Sequence, residues 1–176
     1  MLKIIRNMRE LDFSALMEIY AEGNRENGRE MWPELPEGQR ILMAEQGFYQ
    51  YLRECFFPTP GAVYCLWEVR GRWVSALRLE PYRDGLLLEA LETRPDARRQ
   101  GYAKALIQAV TDWLADRGPV RVYSHVSKRN QPSLATHKAC GFQKILDYAV
   151  YADGSVANRA VTLVYTRERS GEENRS

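Results

Sequence analysis

The stretch RPDARRQGYAKAL, residues 94–106, stands where the sequence changes its hydrophobic period. The run LLLEALET before it, residues 86–93, has the composition of a buried strand, whereas apolar residues recur at helical spacing over residues 103–114. The first N–H groups of a helix have no partner inside the helix and lie at the positive end of its dipole. The stretch therefore predicts a strand–loop–helix unit that holds a phosphate on backbone amides.

Gly101 and its neighbours limit the kind of phosphate ligand that this loop accepts. The P-loop pattern GxxxxGK[ST] does not occur, and Gly101 has no glycine two residues away to complete the dinucleotide pattern GxGxxG. What remains is R-x-x-G-x-A, on Arg98, Gly101 and Ala103, with Arg99 and Lys104 adding positive charge. Glycine permits an unusual backbone conformation and a close approach of the ligand. A nucleotide-binding protein is therefore the weaker interpretation.

Composition places the chain among single-domain globular proteins. Its 176 residues suffice for one domain, which we expect over residues 1–166, followed by a polar, disordered tail at residues 167–176. The net charge of +2 does not indicate nucleic-acid binding. Three cysteines without metal spacing and only two histidines predict no metal site. With neither a membrane-spanning apolar run nor a signal-peptide pattern, we expect a cytoplasmic protein without a membrane partner.

The order of predicted elements indicates an α/β fold. It begins with a strand and two helices, the first ending at Gly23 and the second covering residues 38–55, with turns between them over residues 26–38. Three antiparallel strands follow near residues 62–69, 73–80 and 86–93. A helix, a strand, a short helix and a hairpin complete the domain. This order predicts an α+β sandwich, with a mixed, largely antiparallel sheet of six or seven strands flanked by about four helices.

Within this order of elements, the loop resembles the acyl-CoA pyrophosphate loop of the GNAT family of N-acetyltransferases. The family's Q/R-x-x-G-x-G/A falls on Arg98, Gly101 and Ala103. A second match is VSKRNQPSLATHKACGF, residues 126–142, which has the family's strand, asparagine, short helix and Gly-Phe. The resemblance covers residues 1–166. It implies an enzyme that moves an acetyl group from acetyl-CoA to a primary amine by direct attack in a ternary complex.

The resemblance also implies where acetyl-CoA binds. The molecule would lie where two neighbouring parallel strands separate, near residues 88–93 and 120–126, with its pyrophosphate on the amides of residues 99–104. Asn130, a natural helix N-cap, often also contacts this ligand in the family. The residues expected to bind acetyl-CoA are Leu91, Thr93, Arg98, Arg99, Gln100, Gly101, Tyr102, Ala103, Lys104, Asn130 and Ser133.

Such a reaction needs a base for the amine, and Glu89 and Glu92 are the candidates. Both lie on an apolar strand, where partial burial raises the pKa of a carboxyl group toward neutrality. Glu89 is the first choice because family members often have an acidic residue near this point. The alternative is that both carboxylates face solvent or pair with an arginine such as Arg78.

The departing thiolate needs an acid, and here the chain departs from the family pattern. The family's frequent tyrosine, four residues before the Gly of Gly-Phe, is replaced by His137. A neutral imidazole donates one hydrogen bond and an imidazolium gives up a proton, so we expect His137 to take the role. The alternatives are a structural histidine or one of three nearby tyrosines, namely Tyr123, Tyr148 and Tyr151.

The acceptor is defined only by class. Aromatic and acidic residues mixed over residues 21–57 flank its site by family analogy, and the acidic residues suit a cationic amine. We expect the acceptor to be a small-molecule or peptide amine. We expect a monomer or a homodimer. The alternative is a non-catalytic module that binds acyl-CoA as a sensor or structural unit; release of CoA in the presence of amines distinguishes the two.

Overall fold

The computed structural model describes residues 1–168. Its nine strands are β1 (Leu2–Ile5), β2 (Val63–Val69), β3 (Arg72–Tyr82), β4 (Gly85–Thr93), β5 (Val120–Ser127), β6 (Gln143–Leu146), β7 (Ala149–Val150), β8 (Val156–Ala157) and β9 (Ala160–Arg167). Its α-helices are α1 (Phe13–Ile19), α2 (Ala21–Met31), α3 (Glu37–Tyr51), α4 (Tyr102–Ala115) and α5 (Gln131–Ala139). A π-helical turn at Leu52–Phe56 extends α3. The predicted tail lies mostly at residues 169–176, outside the described residues.

Seven strands form one sheet in the order β1-β2-β3-β4-β5-β9-β6, and β7 pairs with β8 separately. Every neighbouring pair in the large sheet is antiparallel except β4 and β5. The predicted mixed, largely antiparallel sheet is therefore confirmed. Among residues 1–168, no helix combines the length and the apolar composition needed to cross a membrane.

Helices cover both faces of the sheet. Leu106, Ile107 and Val110 of α4 pack on one face against strand residues such as Leu77 and Leu88. On the other face a second core contains residues from α1, from the π-helical turn and from the strands, among them Leu16, Ile19, Leu52, Phe56 and Tyr64. Because side chains alternate along a strand, β2 and β3 contribute residues to both cores.

The prediction was wrong for residues 23–31, whereas residues 32–36 form turns, as expected. Gly23 does not end a helix: α1 ends at Ile19, with Tyr20 as its C-cap, and α2 begins at Ala21 and continues through Gly23 and Gly28 to Met31. The missing side chain of Gly28 explains its presence in a helix, since a Cβ there would lie 2.9 Å from the carbonyl oxygen of Arg40 in α3. Gly28 therefore permits close packing of α2 on α3. With α2 included, the described residues form five α-helices, where about four were expected.

A β-bulge in β4 shapes the centre of the sheet. Arg78 pairs with Glu89 and Ala76 with Glu92, so β4 has one more residue than β3 between these positions. Ala90 takes a positive φ of 50° at this point, and its carbonyl oxygen accepts a hydrogen bond from the Tyr20 hydroxyl at 2.6 Å. A bulge bends its strand and increases the local twist. The bulge lies just beyond the three residues of β4 that pair with β5.

Candidate active site

A cleft opens where β4 and β5 separate. These parallel strands pair only over Leu86–Leu88 and Val122–Ser124, and their carboxyl ends then separate between the start of α4 and the helix α5. The cleft has a volume of about 620 Å³. Its lining residues are Leu91, Glu92, Thr93, Ala97, Arg98, Arg99, Gly101, Tyr102, Ala103, Lys104, Asn130, Pro132, Ser133, Ala135, Thr136 and Ala139.

The first turn of α4 presents its backbone amides at this cleft. The first intrahelical bond is donated by the N–H of Ala105 to the carbonyl of Gly101, at 2.9 Å, so the amides of residues 102–104 have no acceptor within the helix. Gly101 has a φ of 80°, and no atom lies within 4 Å of the position that its Cβ would occupy. Arg99 also has a positive φ, of 60°. This geometry suits an anion such as a phosphate.

The side chain of Arg98 holds the loop in place. It forms ion pairs with Glu92 of β4 at 3.1 Å and with Glu22 of α2 at 2.5 Å, and its Nε donates to the carbonyl of Thr93 at 3.2 Å. Its positive charge is therefore largely compensated by carboxylates. Gln100 does not line the cleft and faces a separate depression beside Arg72 and Asp96. Of the eleven residues predicted to bind acetyl-CoA, the structure brings ten to the cleft, all except Gln100.

Asn130 begins α5, as the sequence predicted. Its side-chain oxygen accepts a hydrogen bond from the Ser133 N–H at 3.1 Å. A cap of this kind stabilises a helix by about 1 kcal/mol. The cap also sets the first turn of α5 against the cleft, where Asn130 and Ser133 both contribute to the lining.

Glu89 lies on the opposite face of the sheet, at the point where β4 leaves β5. Its carboxylate lies 3.5 Å from the guanidinium of Arg78. That guanidinium stacks over aromatic rings of α3 and the π-helical turn, at 4.9 Å from the Tyr51 ring centre and 5.5 Å from that of Phe56. Burial raises the pKa of Glu89, and Arg78 partly opposes the rise. The arginine partner that the sequence left as an alternative is therefore present, but the carboxyl group keeps a pKa above its ordinary value.

Glu92 differs from Glu89 in its partner and in its surroundings. It lines the cleft and pairs with Arg98. Burial raises the pKa of Glu92, and the Thr93 N–H and Arg98 oppose that rise. Its ion pair links the end of β4 to the loop before α4.

The structure does not support His137 as the acid. The ring is 1% exposed, does not line the cleft, and packs edge-on against Phe142 with 5.0 Å between ring centres. Its Nδ1 lies 2.8 Å from the Ser133 carbonyl oxygen, which only accepts hydrogen bonds, so Nδ1 carries the proton of the neutral ring. Burial lowers the pKa of His137 and favours that neutral form. No proton then remains on Nε2 for a departing thiolate.

The three tyrosines that were the alternatives to His137 are no better placed to act as the acid. The hydroxyl of Tyr123 donates to Asp84 at 2.6 Å, at the opposite end of β5 from the cleft. Tyr148 and Tyr151 lie beside β7 and are 39% and 38% exposed. None of the three lines the cleft.

His125 was not among the residues predicted for the site. This residue follows the last β5 residue that pairs with β4, and its ring contacts those of Tyr82 and Tyr151. Neither ring nitrogen has a hydrogen-bond partner among the described residues. A signal was available, because strand alternation along PVRVYSHV places His125 at the carboxyl end of a strand beside the one that carries Glu89.

A second cavity, of about 690 Å³, lies at the other end of the same strands. Arginines 83, 117, 121 and 167 line it. Two of them form exposed ion pairs, Arg121 with Asp84 at 3.3 Å and Arg167 with Asp112 at 2.7 Å. Its larger volume does not make it the active site, because it lies at the amino ends of β4 and β5, away from the free amides of α4.

Comparison with known proteins identifies the architecture. The model of the acetyltransferase (GNAT) family matches residues 15–142. An aminoglycoside N(6')-acetyltransferase type 1 from Acinetobacter genomosp. 13 is 31% identical over 120 residues, which are 65% of this chain and 78% of that protein.

Solved structures share the fold at low sequence identity. The ribosomal-protein-S18-alanine N-acetyltransferase from Escherichia coli superposes with a TM-score of 0.62 at 20% identity, over 100% of both chains. The PaiA N-acetyltransferase from Thermoplasma acidophilum, in complex with coenzyme A, superposes with a TM-score of 0.60 at 12% identity, over 95% of this chain and 99% of that one.

Proposed function

This chain belongs to the acetyltransferase (GNAT) family and is an N-acetyltransferase, and we propose that it takes its acetyl group from acetyl-CoA bound in the β4–β5 cleft. The observation that carries the proposal is the first turn of α4. Its free amides, the positive φ of Gly101 and the open space beside that residue together form a cradle for a pyrophosphate. The non-catalytic alternative is not favoured, because the relative of known activity is an acetyltransferase.

The rest of the cleft fits the other parts of acetyl-CoA. Arg99 and Lys104 add positive charge beside the amides, where the phosphates would lie. Leu91, Ala135 and Ala139 provide an apolar wall for the pantetheine chain. The pairing of β4 with β5 ends at Leu88 and Ser124, and we place the acetyl group beyond this point, next to the face of the sheet on which Glu89 lies. The acetyl group bound there is the electrophile, and the protein has to supply a neutral amine beside it.

We assign Glu89 the role of base for the acceptor ammonium. Its carboxylate attracts the cation, and its raised pKa brings its basicity closer to that required at neutral pH. Arg78 fixes the carboxylate and keeps it ionised, since an adjacent positive charge favours the charged form. We assign Glu92 to the positioning of the loop through Arg98.

For the acceptor, we propose a cationic small molecule with a primary amine, of the aminoglycoside class. The 31% identical relative is named for that substrate. The segment that contains α2, α3 and the loop between them also carries an excess of negative charge, since residues 21–51 contain six glutamates and three arginines. Such an excess raises the local concentration of a polycation.

The test combines binding with turnover. Acetyl-CoA is titrated by calorimetry into the protein in an amine-free buffer, with ATP as the control ligand. CoA release is then measured with kanamycin A, spermidine and a peptide that begins with alanine. One-to-one binding of acetyl-CoA but not ATP, and fastest release with kanamycin A, is the expected result. Faster turnover of the peptide would overturn the acceptor proposal alone, whereas no acetyl-CoA binding would overturn the donor assignment.

Replacing Glu89 by glutamine should slow turnover about tenfold to 100-fold near pH 7. Glu89 acts as a base only in its carboxylate form, so the wild-type rate should fall as the pH drops through the raised pKa of Glu89. Glu89→Gln should lack this fall. At high pH the amine is neutral without a base, and the two rates should converge. The measurement is kcat/KM for kanamycin A from pH 5.5 to 10. A constant ratio between the two proteins over this range would remove Glu89 as the base.

Glu92→Gln is the matched comparison for Glu89→Gln. Both substitutions remove one carboxylate from the same strand, but Glu92 pairs with Arg98 of the cofactor loop. We expect Glu92→Gln to weaken acetyl-CoA binding and to leave the shape of the pH profile unchanged.

A further inference from the structure

His125 occupies the position on β5 that corresponds to Glu89 on β4. The last paired residues of the two strands are Leu88 and Ser124, so Glu89 and His125 are the first residues beyond the pairing. Alternation along β5 places His125 on the face of Tyr123, which packs with Leu87 of β4. Glu89 shares that face, two residues after Leu87. The two titratable side chains therefore flank the opening between the strands, on the side away from the acetyl-CoA cleft.

The surroundings of His125 hold its ring but leave its polar atoms free. The ring makes edge-to-face contacts with Tyr82, at 5.5 Å between centres, and with Tyr151, at 5.4 Å. Both ring nitrogens are buried, and neither has a hydrogen-bond partner among residues 1–168. Each unsatisfied buried polar atom costs about 1–3 kcal/mol. A ligand that forms a hydrogen bond with this ring removes that unfavourable term. The ring is therefore suited to bind a polar ligand group.

The charged and titratable groups around His125 favour the neutral ring. Arg83, in the turn between β3 and β4, adds its positive charge to the effect of burial, and both lower the pKa of His125. Tyr82 of β3 and Tyr151 after β7 contact the ring. Glu89 of β4 is the neighbouring carboxylate on the same face. Across the sheet, β9 presents Thr162, whose hydroxyl donates to the Tyr148 carbonyl.

The proposed reaction leaves one proton without an acceptor. Between an ammonium and an amide, the nitrogen loses two protons, and Glu89 accounts for one. We propose that His125 accepts the second proton, so that Glu89 and His125 together bind and deprotonate the acceptor amine. The N–C bond forms, the C–S bond breaks, and CoA leaves as the thiolate, with one proton on the carboxylate and one on the imidazole. The inference rests on the proposed function, because it places the amine at the opening between β4 and β5.

The kinetic test uses His125→Gln and the control Tyr123→Phe. Tyr123 lies two residues away on the same face, and its hydroxyl is bound to Asp84 at the far end of the strand. With kanamycin A as acceptor, His125→Gln should lower kcat about 100-fold and leave the Kd for acetyl-CoA within twofold. It should also remove the fall in rate that protonation of His125 should cause at acidic pH, since burial and Arg83 lower the pKa of this ring. Tyr123→Phe should stay within twofold of wild type.

A second measurement does not depend on turnover. The chain contains only two histidines, so their proton NMR signals are assigned by the loss of one set in His125→Gln. In the CoA-bound protein, kanamycin A should shift the His125 signals and leave those of the buried His137 unchanged. Wild-type kcat in His125→Gln, or unshifted His125 signals at saturating kanamycin A, would overturn the inference. A wild-type protein that binds acetyl-CoA but acetylates no amine would instead overturn the proposed function.

Discussion

Replacing Gly101 by valine should raise the Kd for acetyl-CoA about 1,000-fold while the protein stays folded. The expected loss corresponds to about two charge-assisted hydrogen bonds from backbone amides to a phosphate. Gly101 has a φ of 80°, which a β-branched residue adopts only with strain, and its missing side chain leaves open space beside the amides of α4. Valine would either project into that space or turn the amides away from the ligand. Calorimetric titration measures the Kd, and circular dichroism measures the retained fold.

Gly118→Val is the control for backbone strain. Gly118 also has a positive φ, of 146°, has no atom within 4 Å of its missing Cβ, and lies just after the other end of α4, outside the cleft. We expect this substitution to lower stability without changing the Kd for acetyl-CoA. Equal affinities of Gly101→Val and Gly118→Val would contradict the assignment of the loop.

Replacing Gly85 by alanine should lower the free energy of unfolding by about 3 kcal/mol. A Cβ at Gly85 would lie 2.3 Å from the carbonyl oxygen of Arg121, so the starts of β4 and β5 would have to separate. This contact joins the two strands at the end opposite the cleft. For a chain of this size, thermal unfolding should shift downward by about 6–12 °C. The fraction that remains folded should still bind acetyl-CoA.

Gly47→Ala is the control for Gly85→Ala, and we expect it to raise the stability measured by thermal unfolding. Gly47 lies inside α3, and no atom lies within 4 Å of the position of its Cβ. Alanine there should stabilise the protein by about 0.5–1 kcal/mol, because it reduces the conformational freedom of the unfolded chain. If Gly85→Ala unfolds at the wild-type temperature, β4 and β5 do not approach as closely as described.

Features that depend on local backbone chemistry were accessible from the sequence. The strands from β2 to β4 and the start of α4 follow from hydrophobic period and turn residues, and the structure confirms them within a few residues. The cap at Asn130 was read correctly for the same reason, since a cap involves residues only three positions apart. The cleft residues were accessible because most of them belong to two short motifs.

The predictions that were wrong or absent concern features that depend on long-range contacts. Gly23 looked like a helix stop, yet α2 continues through it, and Gly28 serves contact with Arg40, twelve residues later. His137 stands where the family often has a tyrosine, but its register on α5 turns it into the core against Phe142. His125 carried no motif, and only the pairing of β4 with β5 brings it level with Glu89.

By itself the sequence indicated the family and the class of reaction, and it predicted a phosphate site at the start of α4, because these depend on residues close together in the chain. Tertiary structure alone decided which titratable groups lie where β4 and β5 separate, in which direction the pKa of each shifts, and where the cleft opens. Those properties arise from contacts between distant segments, such as the Tyr20 hydroxyl on the Ala90 carbonyl at the bulge and Arg78 beside Glu89. Burial and neighbouring charges set a pKa, and neither is visible until the chain has folded.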